Sequence, residues 1–243
     1  MERNRKGVLL GKGKCQNSIR ACLIIVKYIA PMEGSYMNFI YVDIVYANKN
    51  MSEIFENGRE KESYKAARMK AEEVLKSNNL SDSRNVGIVQ LAKKYGFVVA
   101  TAKMPEKMQG MIVYDESGTK KQMGTDYAKL IVVDSKLTTE QKRFVVAHEL
   151  GHYIMGDRAD VTGEHIEMRI DKHDEKPEKE NEIDYFAACI LMPHNAVKKM
   201  VQLDEPENAL VEELSRAFGV SSIVAKRRIQ EVRQLENCEL QKQ

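Results

Sequence analysis

Three residues within five positions have the types and the spacing of a metal-dependent hydrolase: His148, Glu149 and His152, in the stretch HELGH. Residues four positions apart on a helix lie about 40° apart around its axis, so both imidazoles can bind one ion. Zinc bound in this way activates a water molecule, and the glutamate beside the histidines accepts its proton. Packing on an ordinary helix face does not require this combination, so the pattern predicts a zinc metalloprotease.

A catalytic zinc site needs a third protein ligand, and an acidic stretch downstream supplies candidates. Glu180, Glu182 and Asp184 lie in a predicted helix. On that helix Glu180 and Asp184 share one face, whereas Glu182 lies about 200° away from Glu180. The phase therefore predicts that Glu180 binds the metal and that Asp184 orients a ligand histidine. Zn²⁺ is the expected metal, although sites with two histidines and one glutamate also accept Mn²⁺, Fe²⁺ or Co²⁺.

Together, the two stretches resemble the ImmA/IrrE family of metallo-endopeptidases. HELGH is followed by Glu-x-Glu-x-Asp-x-Phe-Ala-Ala from residue 180 and by Leu-Met-Pro at residues 191–193, where the family usually has E-x-E-A-N-x-F-A-A-x-L-L-M-P. Ile183, Asp184 and Ile190 depart from that form. None of them removes a ligand, although Ile183 can shift the helix packing. The resemblance extends from about Val86 to Arg228.

This resemblance implies that His148, His152 and Glu180 are the metal ligands and that Glu149 is the catalytic residue. It implies a minimal gluzincin-like peptidase fold. It also implies a protein substrate, namely a helix-turn-helix transcriptional repressor or antitoxin that is often encoded on a phage or a conjugative element. Cleavage of such a substrate relieves transcriptional repression.

Two alternative functions are compatible with the sequence. In the first, the metal site is vestigial and the chain is a non-catalytic regulator that binds DNA or a partner through its C-terminal helices. In the second, the chain is the toxin of a toxin–antitoxin pair and a partner holds it inactive. The sequence does not separate this toxin from the peptidase that cleaves a repressor or antitoxin.

The elements that must position these residues predict an α+β fold. A small sheet is expected to pack on the HELGH helix and the glutamate helix, followed by a C-terminal helix-turn-helix-like pair. Thr138 and Gln141 have the spacing of a capping box, which predicts the start of the HELGH helix. The predicted helices cover residues 52–78, 84–95, 138–155, 178–191, 194–202, 206–217 and 221–235, and the predicted strands cover residues 97–102, 111–114, 129–133 and 165–170.

Some of these elements carry further expectations. The helix over 52–78 is rich in charge and is expected to be solvated, with a narrow apolar stripe. Ser81 or Asp82 is expected to cap the next helix, which ends before Gly96. The alternation of polar and apolar residues over 165–170 predicts an exposed edge strand.

Residues 210–229 resemble a helix-turn-helix unit, with Gly219 at the turn and Ser221 as the cap of its second helix. The Lys-Arg-Arg stretch at 226–228 makes that helix basic, which suits contacts with phosphates. Similar helical pairs are part of the compact fold in the family. We therefore expect a structural role and no direct binding of nucleic acid.

Five other polar residues have chemistry that an active site can use. His165, His173 and His194 could replace a ligand or stabilise an oxyanion, but we expect them at the surface. Tyr153 and Tyr185 could donate a hydrogen bond to a tetrahedral intermediate. Aromatic residues on amphipathic helices usually pack half-buried, however, so we expect these tyrosines to be structural.

Composition excludes several classes of protein. The chain has 243 residues, of which 43% are hydrophobic and 30% charged, so it is not a disordered tail, a collagen-like repeat or a membrane bundle. Its net charge of +2 does not favour nucleic acid or a membrane surface as partner.

The four cysteines show no pairing framework, which predicts a reducing, cytoplasmic location. The apolar run Ala21–Ala30 is too short to span a bilayer, and no cleavage site follows it.

Residues 1–36 have neither helical nor strand periodicity and carry mainly basic charges. We hypothesise that translation begins at Met37, because the codons of residues 32–34 (Met-Glu-Gly) can resemble a ribosome-binding site. The alternative is a disordered basic arm.

The sequence predicts four units along the chain. Residues 1–51 form an N-terminal extension that is misannotated or disordered, and residues 52–80 form a charged helix. Residues 81–204 form the zinc metallopeptidase core, and residues 205–243 form a C-terminal helical region. The polar segment 156–177 within the core is long, so its contacts cannot be transferred from the family.

Overall fold

The computed structural model describes residues 51–105, 108–115, 129–156, 164–168, 177–201 and 206–240. The hypotheses on residues 1–36 and Met37, and most of the predictions for the segment 156–177, lie outside these ranges. The described helices are α1 (Met51–Ile54), α2 (Glu62–Ser77), α3 (Ile88–Lys94), α4 (Thr139–Met155), α5 (Pro177–Leu191), α6 (His194–Val201), α7 (Glu207–Phe218) and α8 (Ser222–Leu240). The described strands are β1 (Phe55–Glu56), β2 (Arg59–Glu60), β3 (Val98–Ala102), β4 (Gly110–Asp115), β5 (Lys129–Asp134) and β6 (Glu164–Met168). These elements confirm a mainly helical α+β fold.

Four strands form a mixed sheet in the order β3-β5-β4-β6. β3 runs parallel to β5, whereas β4 runs antiparallel to both β5 and β6. Successive side chains point to opposite faces of a sheet. Accordingly Ile112 and Ile131, which are paired in the β4–β5 ladder, belong to the main core, and the next pair, Met111 and Val132, belongs to a second apolar cluster. Among the described strands β6 stands at one end of the order, as predicted for an edge strand, while the exposure of its side chains lies outside what the structure describes.

α4, the helix that contains HELGH, begins at the predicted capping box. The backbone amide of Gln141 donates to the hydroxyl of Thr138, and the side chain of Gln141 accepts from the amide of Thr138. Every residue from Phe144 to Tyr153 is buried, because α4 contacts β4, β5, α3 and α5. A helix enclosed on all sides is apolar around most of its surface, so the polar residues of HELGH are exceptions that need partners.

The prediction of one continuous helix over residues 52–78 is wrong at its N-terminal end. α1 stops at Ile54, and the short strands β1 and β2 pair as a hairpin before α2 begins. Asn57 and Gly58 form its turn with φ values of 50° and 71°. Two consecutive residues with positive φ are what a two-residue hairpin loop needs, and Asn-Gly is a common sequence for it. Helix-forming residues are frequent on both sides of the Asn-Gly pair, and for that reason the sequence predicts one helix across this turn.

The predicted cap of α3 is also wrong. The helix begins at Ile88 with Gly87 as its N-terminal flanking residue, and no side chain caps it. Asp82 instead pairs with Lys199 on α6. The carbonyl of Val86, just before the helix, accepts a hydrogen bond from Arg143 on α4. The predicted end is confirmed, since Gly96 adopts a φ of +88° just beyond the helix.

The C-terminal helical pair has the predicted turn. Gly219 ends α7 in the left-handed conformation with φ of 61°, and the Ser221 hydroxyl accepts a hydrogen bond from the amide of Val224 at the start of α8. Arg143 on α4 donates to the carbonyls of Gly219 and Phe218. This side chain therefore joins the pair to the helix that contains HELGH, and a cation at a helix C-terminus is also favoured by the helix dipole.

Two of the three residues in the basic stretch at 226–228 do not face solvent. Arg227 and Arg228 are 4% and 0% exposed, and both donate to Glu231, which is 0% exposed. Arg228 also donates to the carbonyl of Met192, just after α5. A contact between these two arginines and phosphate is therefore contradicted, whereas Lys226 is exposed. The finding agrees with the expected structural role of the pair.

One hydrophobic core cluster contains buried side chains from Ile54 in α1 to Leu235 in α8. Residues of the last three predicted units thus pack together, and Met51 of the first unit packs against them. The boundaries between units stay a prediction. None of the described helices combines the length and the apolar composition that crossing a bilayer requires.

Replacing Glu231 by Gln should strongly destabilise the fold, because it removes the negative charge that two buried guanidinium groups share. We expect a loss of about 3 kcal/mol in the free energy of unfolding, measured by urea denaturation. The matched control is Glu73→Gln, which removes an exposed ion pair with Lys70 and should leave the stability unchanged. Equal effects of the two substitutions would contradict the assignment of a buried charge cluster.

Candidate metal centre

Three side chains from two helices bring electron-rich atoms together. His148 and His152 on α4 place their Nε2 atoms 2.9 Å apart. Oε2 of Glu180 on α5 lies 3.3 Å from Nε2 of His148 and 3.6 Å from Nε2 of His152. Among the residues that the structure describes, this is the group of histidine, cysteine and acidic side chains that could hold a metal ion. We call these three residues the ligand cluster.

The spacing within the ligand cluster fits a divalent metal. Ligands about 2.0–2.1 Å from a tetrahedral ion stand about 3.3–3.4 Å from each other, close to the three distances observed. Two imidazole nitrogens and one carboxylate oxygen are also the donor set of a common type of catalytic zinc site. Lone pairs that converge in this way repel one another unless a cation or a proton lies between them.

Asp184 fixes the orientation of one histidine. Its Oδ1 lies 2.7 Å from Nδ1 of His148, and both side chains are buried, at 1% and 0% exposure. An ionised carboxylate only accepts hydrogen bonds, so Nδ1 of His148 carries the proton. Nε2 then presents its lone pair to the ligand cluster. Carboxylates that accept from the other ring nitrogen of a metal-binding histidine commonly orient it in this way. The structure thus places Asp184 where its helical phase predicts.

Glu180 is the most accessible member of the ligand cluster, with 41% of its side chain exposed. Its partial burial opposes ionisation. When His148 and His152 are protonated, their hydrogen bonds and charge outweigh that effect and hold the pKa of the carboxyl well below its usual range. A metal ligand must be ionised, and a cation held by the neutral imidazoles would favour the ionised carboxylate in the same direction.

Glu149 lies beside the ligands, with 1% exposure, and a strand passes close to it. A Cβ atom built on Gly110 of β4 would lie 3.0 Å from Oε1 of Glu149 and 2.4 Å from Cγ1 of Val145. Only a glycine fits at this position without displacing those side chains. The sequence did not single out Gly110, although an isolated glycine at the start of an apolar strand is a signal of close approach.

The contact between α4 and α5 depends on a second glycine. A Cβ atom on Gly151 would lie 2.9 Å from Cδ1 of Phe186 and 3.0 Å from Cγ2 of Ile183. Ile183 is larger than the alanine common in the resembled family, and its side chain occupies the space over Gly151. This pair therefore sets how closely the Glu180 helix approaches the two histidines.

Several candidates from the sequence lie elsewhere. Glu182 is on the side of α5 that faces Tyr64 of α2. The ring of His194 contacts Glu236 on α8. The side chain of His165 and all of His173 are outside the described residues.

The two tyrosines have structural partners. The hydroxyl of Tyr153 accepts a hydrogen bond from Lys129, and the hydroxyl of Tyr185 donates to Glu60. Tyr153 is 7% and Tyr185 0% exposed. Both are more deeply buried than expected, and both hydroxyls have partners outside the ligand cluster, in agreement with the structural roles expected for them.

Comparison with known proteins identifies one family. The sequence model of a peptidase family, described as the IrrE N-terminal-like domain, matches residues 92–230. The match covers more than half of the chain and includes α4 and α5 with the ligand cluster. It confirms the resemblance seen in the sequence and leaves α1, β1, β2 and α2 outside. No curated protein matches the chain.

Replacing Gly151 by Ala should push α5 away from α4 and weaken metal binding. We expect the free energy of unfolding to fall by about 1–3 kcal/mol and zinc affinity, measured by competition with a chromogenic chelator, to fall with it. The double substitution Gly151→Ala with Ile183→Ala relieves the contact with Ile183 and leaves the one with Phe186, so its zinc affinity should recover in part. Unchanged affinity in the Gly151→Ala variant would show that this contact does not set the ligand spacing.

Proposed function

Because the chain belongs to the IrrE N-terminal-like family of peptidases, we propose that it is a zinc-dependent endopeptidase. His148, His152 and Glu180 bind the metal in this proposal, and Glu149 is the catalytic residue. The observation that carries it is the convergence of three ligand atoms within 3.6 Å beside a buried glutamate. A helix that merely packs would not bring these lone pairs together.

In the proposed reaction, a divalent cation held by the ligand cluster supplies Lewis acidity toward the attacking water and the scissile carbonyl. Glu149 accepts a proton from that water as the new C–O bond forms. Glu149 then gives the proton to the leaving amine nitrogen as the C–N bond breaks. Asp184 keeps Nδ1 of His148 protonated throughout, and the burial of Glu149 limits contact of its carboxylate with bulk water.

Zinc is the metal we propose, because the donor set of two histidines and one glutamate is common in zinc peptidases. Mn²⁺, Fe²⁺ and Co²⁺ are alternatives that the same ligands accept. The choice among them depends on supply in the cell as well as on the ligands.

As substrate we propose a helix-turn-helix transcriptional repressor or antitoxin, encoded by the same mobile element and cleaved in the cytoplasm. The family resemblance supports this substrate class. The alternative of a DNA-binding regulator loses support, because Arg227 and Arg228 of the basic stretch at 226–228 are buried against Glu231. A toxin held inactive by a partner would use the same site and the same chemistry.

Glu149→Gln should lower the rate of peptide-bond cleavage by about 10²–10⁴-fold while zinc stays bound, because the amide cannot accept the proton. Purified helix-turn-helix repressors encoded beside the gene are the substrates to test, with mass spectrometry of the products as the measurement. Glu140→Gln is the matched control, since it makes the same change in the first turn of α4, away from the ligand cluster.

The control should cleave at the wild-type rate. Cleavage by Glu149→Gln at the wild-type rate would contradict the assigned role of Glu149. If wild type cleaves none of these repressors, the proposed substrate class is wrong.

A further inference from the structure

α5 is packed on both sides, and the side opposite α4 is formed by residues outside the family match. α2 packs on α5 more extensively than on any other described helix. Its buried positions include Ala67 and Ala71, both 0% exposed. Small side chains at these positions let two helix backbones approach closely. The Glu180 helix is therefore enclosed between α4, which bears two ligands, and α2, which bears none.

One hydrogen bond connects α5 to the segment that precedes α2. The hydroxyl of Tyr185 donates to Oε1 of Glu60 over 2.9 Å. Glu60 ends the β1–β2 hairpin, and only 6% of its side chain is exposed. Arg68 on α2 donates to both of its carboxylate oxygens at 2.9–3.2 Å. A buried carboxylate with this charged partner has a fixed position, so it is a rigid acceptor for the tyrosine.

The ring of Tyr185 is held independently of its hydroxyl. It packs edge to face with Tyr64 at 5.5 Å between centroids, and the guanidinium of Arg228 lies 5.8 Å from its centre. Burial raises the pKa of Tyr185 well above its usual value, so the hydroxyl keeps its proton and remains a donor. A phenylalanine would retain the ring contacts and lose only the bond to Glu60.

The hydrogen bond of Tyr185 can affect the ligand cluster through the position of α5. It follows Asp184, which holds His148, and it lies five residues after Glu180 on the same continuous helix. A buried hydroxyl reaches a fixed acceptor at only one rotation and height of its helix. The same rotation and height determine where Oε2 of Glu180 stands relative to the two histidines.

We propose that Tyr185 and Glu60 form a brace that positions Glu180 for metal binding. Both are positioning residues, because neither contacts the ligand cluster. The hairpin and α2, which the family match leaves out, thereby complete the metal site of this chain. The inference rests on the metal binding that belongs to the proposed function.

Zinc dissociation constants of the full-length chain test the brace. Tyr185→Phe should bind zinc about tenfold more weakly, the lower end of the effect of residues that orient metal ligands. The double variant Tyr185→Phe with Glu180→Gln tests whether Tyr185 affects zinc binding through Glu180. In that background Tyr185→Phe should change the constant by about twofold or less, since the ligand that it positions has already been altered.

Variants at Glu60 test the other end of the brace. Glu60→Ala should weaken zinc binding as Tyr185→Phe does. Glu60→Gln keeps an oxygen that accepts from Tyr185 but places an amide NH2 against Arg68, so its zinc affinity should lie between those of wild type and Glu60→Ala. The absorption spectrum of the Co²⁺-substituted chain should change with Tyr185→Phe, because it reports the ligand geometry directly.

Val224→Ala on α8 is the stability control, because it removes buried apolar volume away from α5. It should lower the melting temperature and leave zinc affinity unchanged. The brace is overturned if Tyr185→Phe binds zinc as wild type does, if its effect persists in the Glu180→Gln background, or if Val224→Ala weakens zinc binding equally. Wild-type chain that binds no zinc at all would overturn the proposed function and the brace together.

Discussion

The architecture of this chain depends on one unfavourable interaction, the approach of three lone-pair donors from two helices. His148, His152 and Glu180 stand within 3.6 Å of one another, and without a cation or a proton between them these atoms repel. Helix packing has to supply the force that opposes this repulsion. The apolar interior of α4, its contact with the sheet and the fit of Ile183 against Gly151 together provide it. The site is thus prepared for a cation by contacts that are mostly apolar.

Buried polar contacts complete this preparation by fixing rotations that apolar packing leaves loose. Asp184 orients a ligand histidine, and Arg143 joins α4 to the C-terminal pair. Glu231 neutralises two arginines where α8 meets the end of α5. Each bond is directional and each buried group is costly to leave unmatched, so alternative helix rotations are disfavoured. We infer that this is why polar groups occur within a core that apolar residues could have filled.

The parts of the site that were predictable are those set by local sequence. The capping box and HELGH lie on a single helix, and helical phase alone separates Glu180 from Glu182. What escaped prediction depends on contacts distant in sequence. The closeness of Gly110 to Glu149 is known only once β4 is placed over α4, and the burial of Arg228 requires knowing that α8 packs beside the end of α5. The hairpin at residues 57–58 was a local signal that the strong helical composition around it concealed.

We propose above all that one metal ion binds to His148, His152 and Glu180. Elemental analysis of the chain, purified without an affinity tag, tests it most directly when wild type and Glu180→Ala are measured together. We expect about one zinc per wild-type chain, bound by the ligand cluster, and little in the variant. Wild-type chain that stays free of metal after zinc is supplied, or a variant that retains as much zinc as wild type, would contradict it.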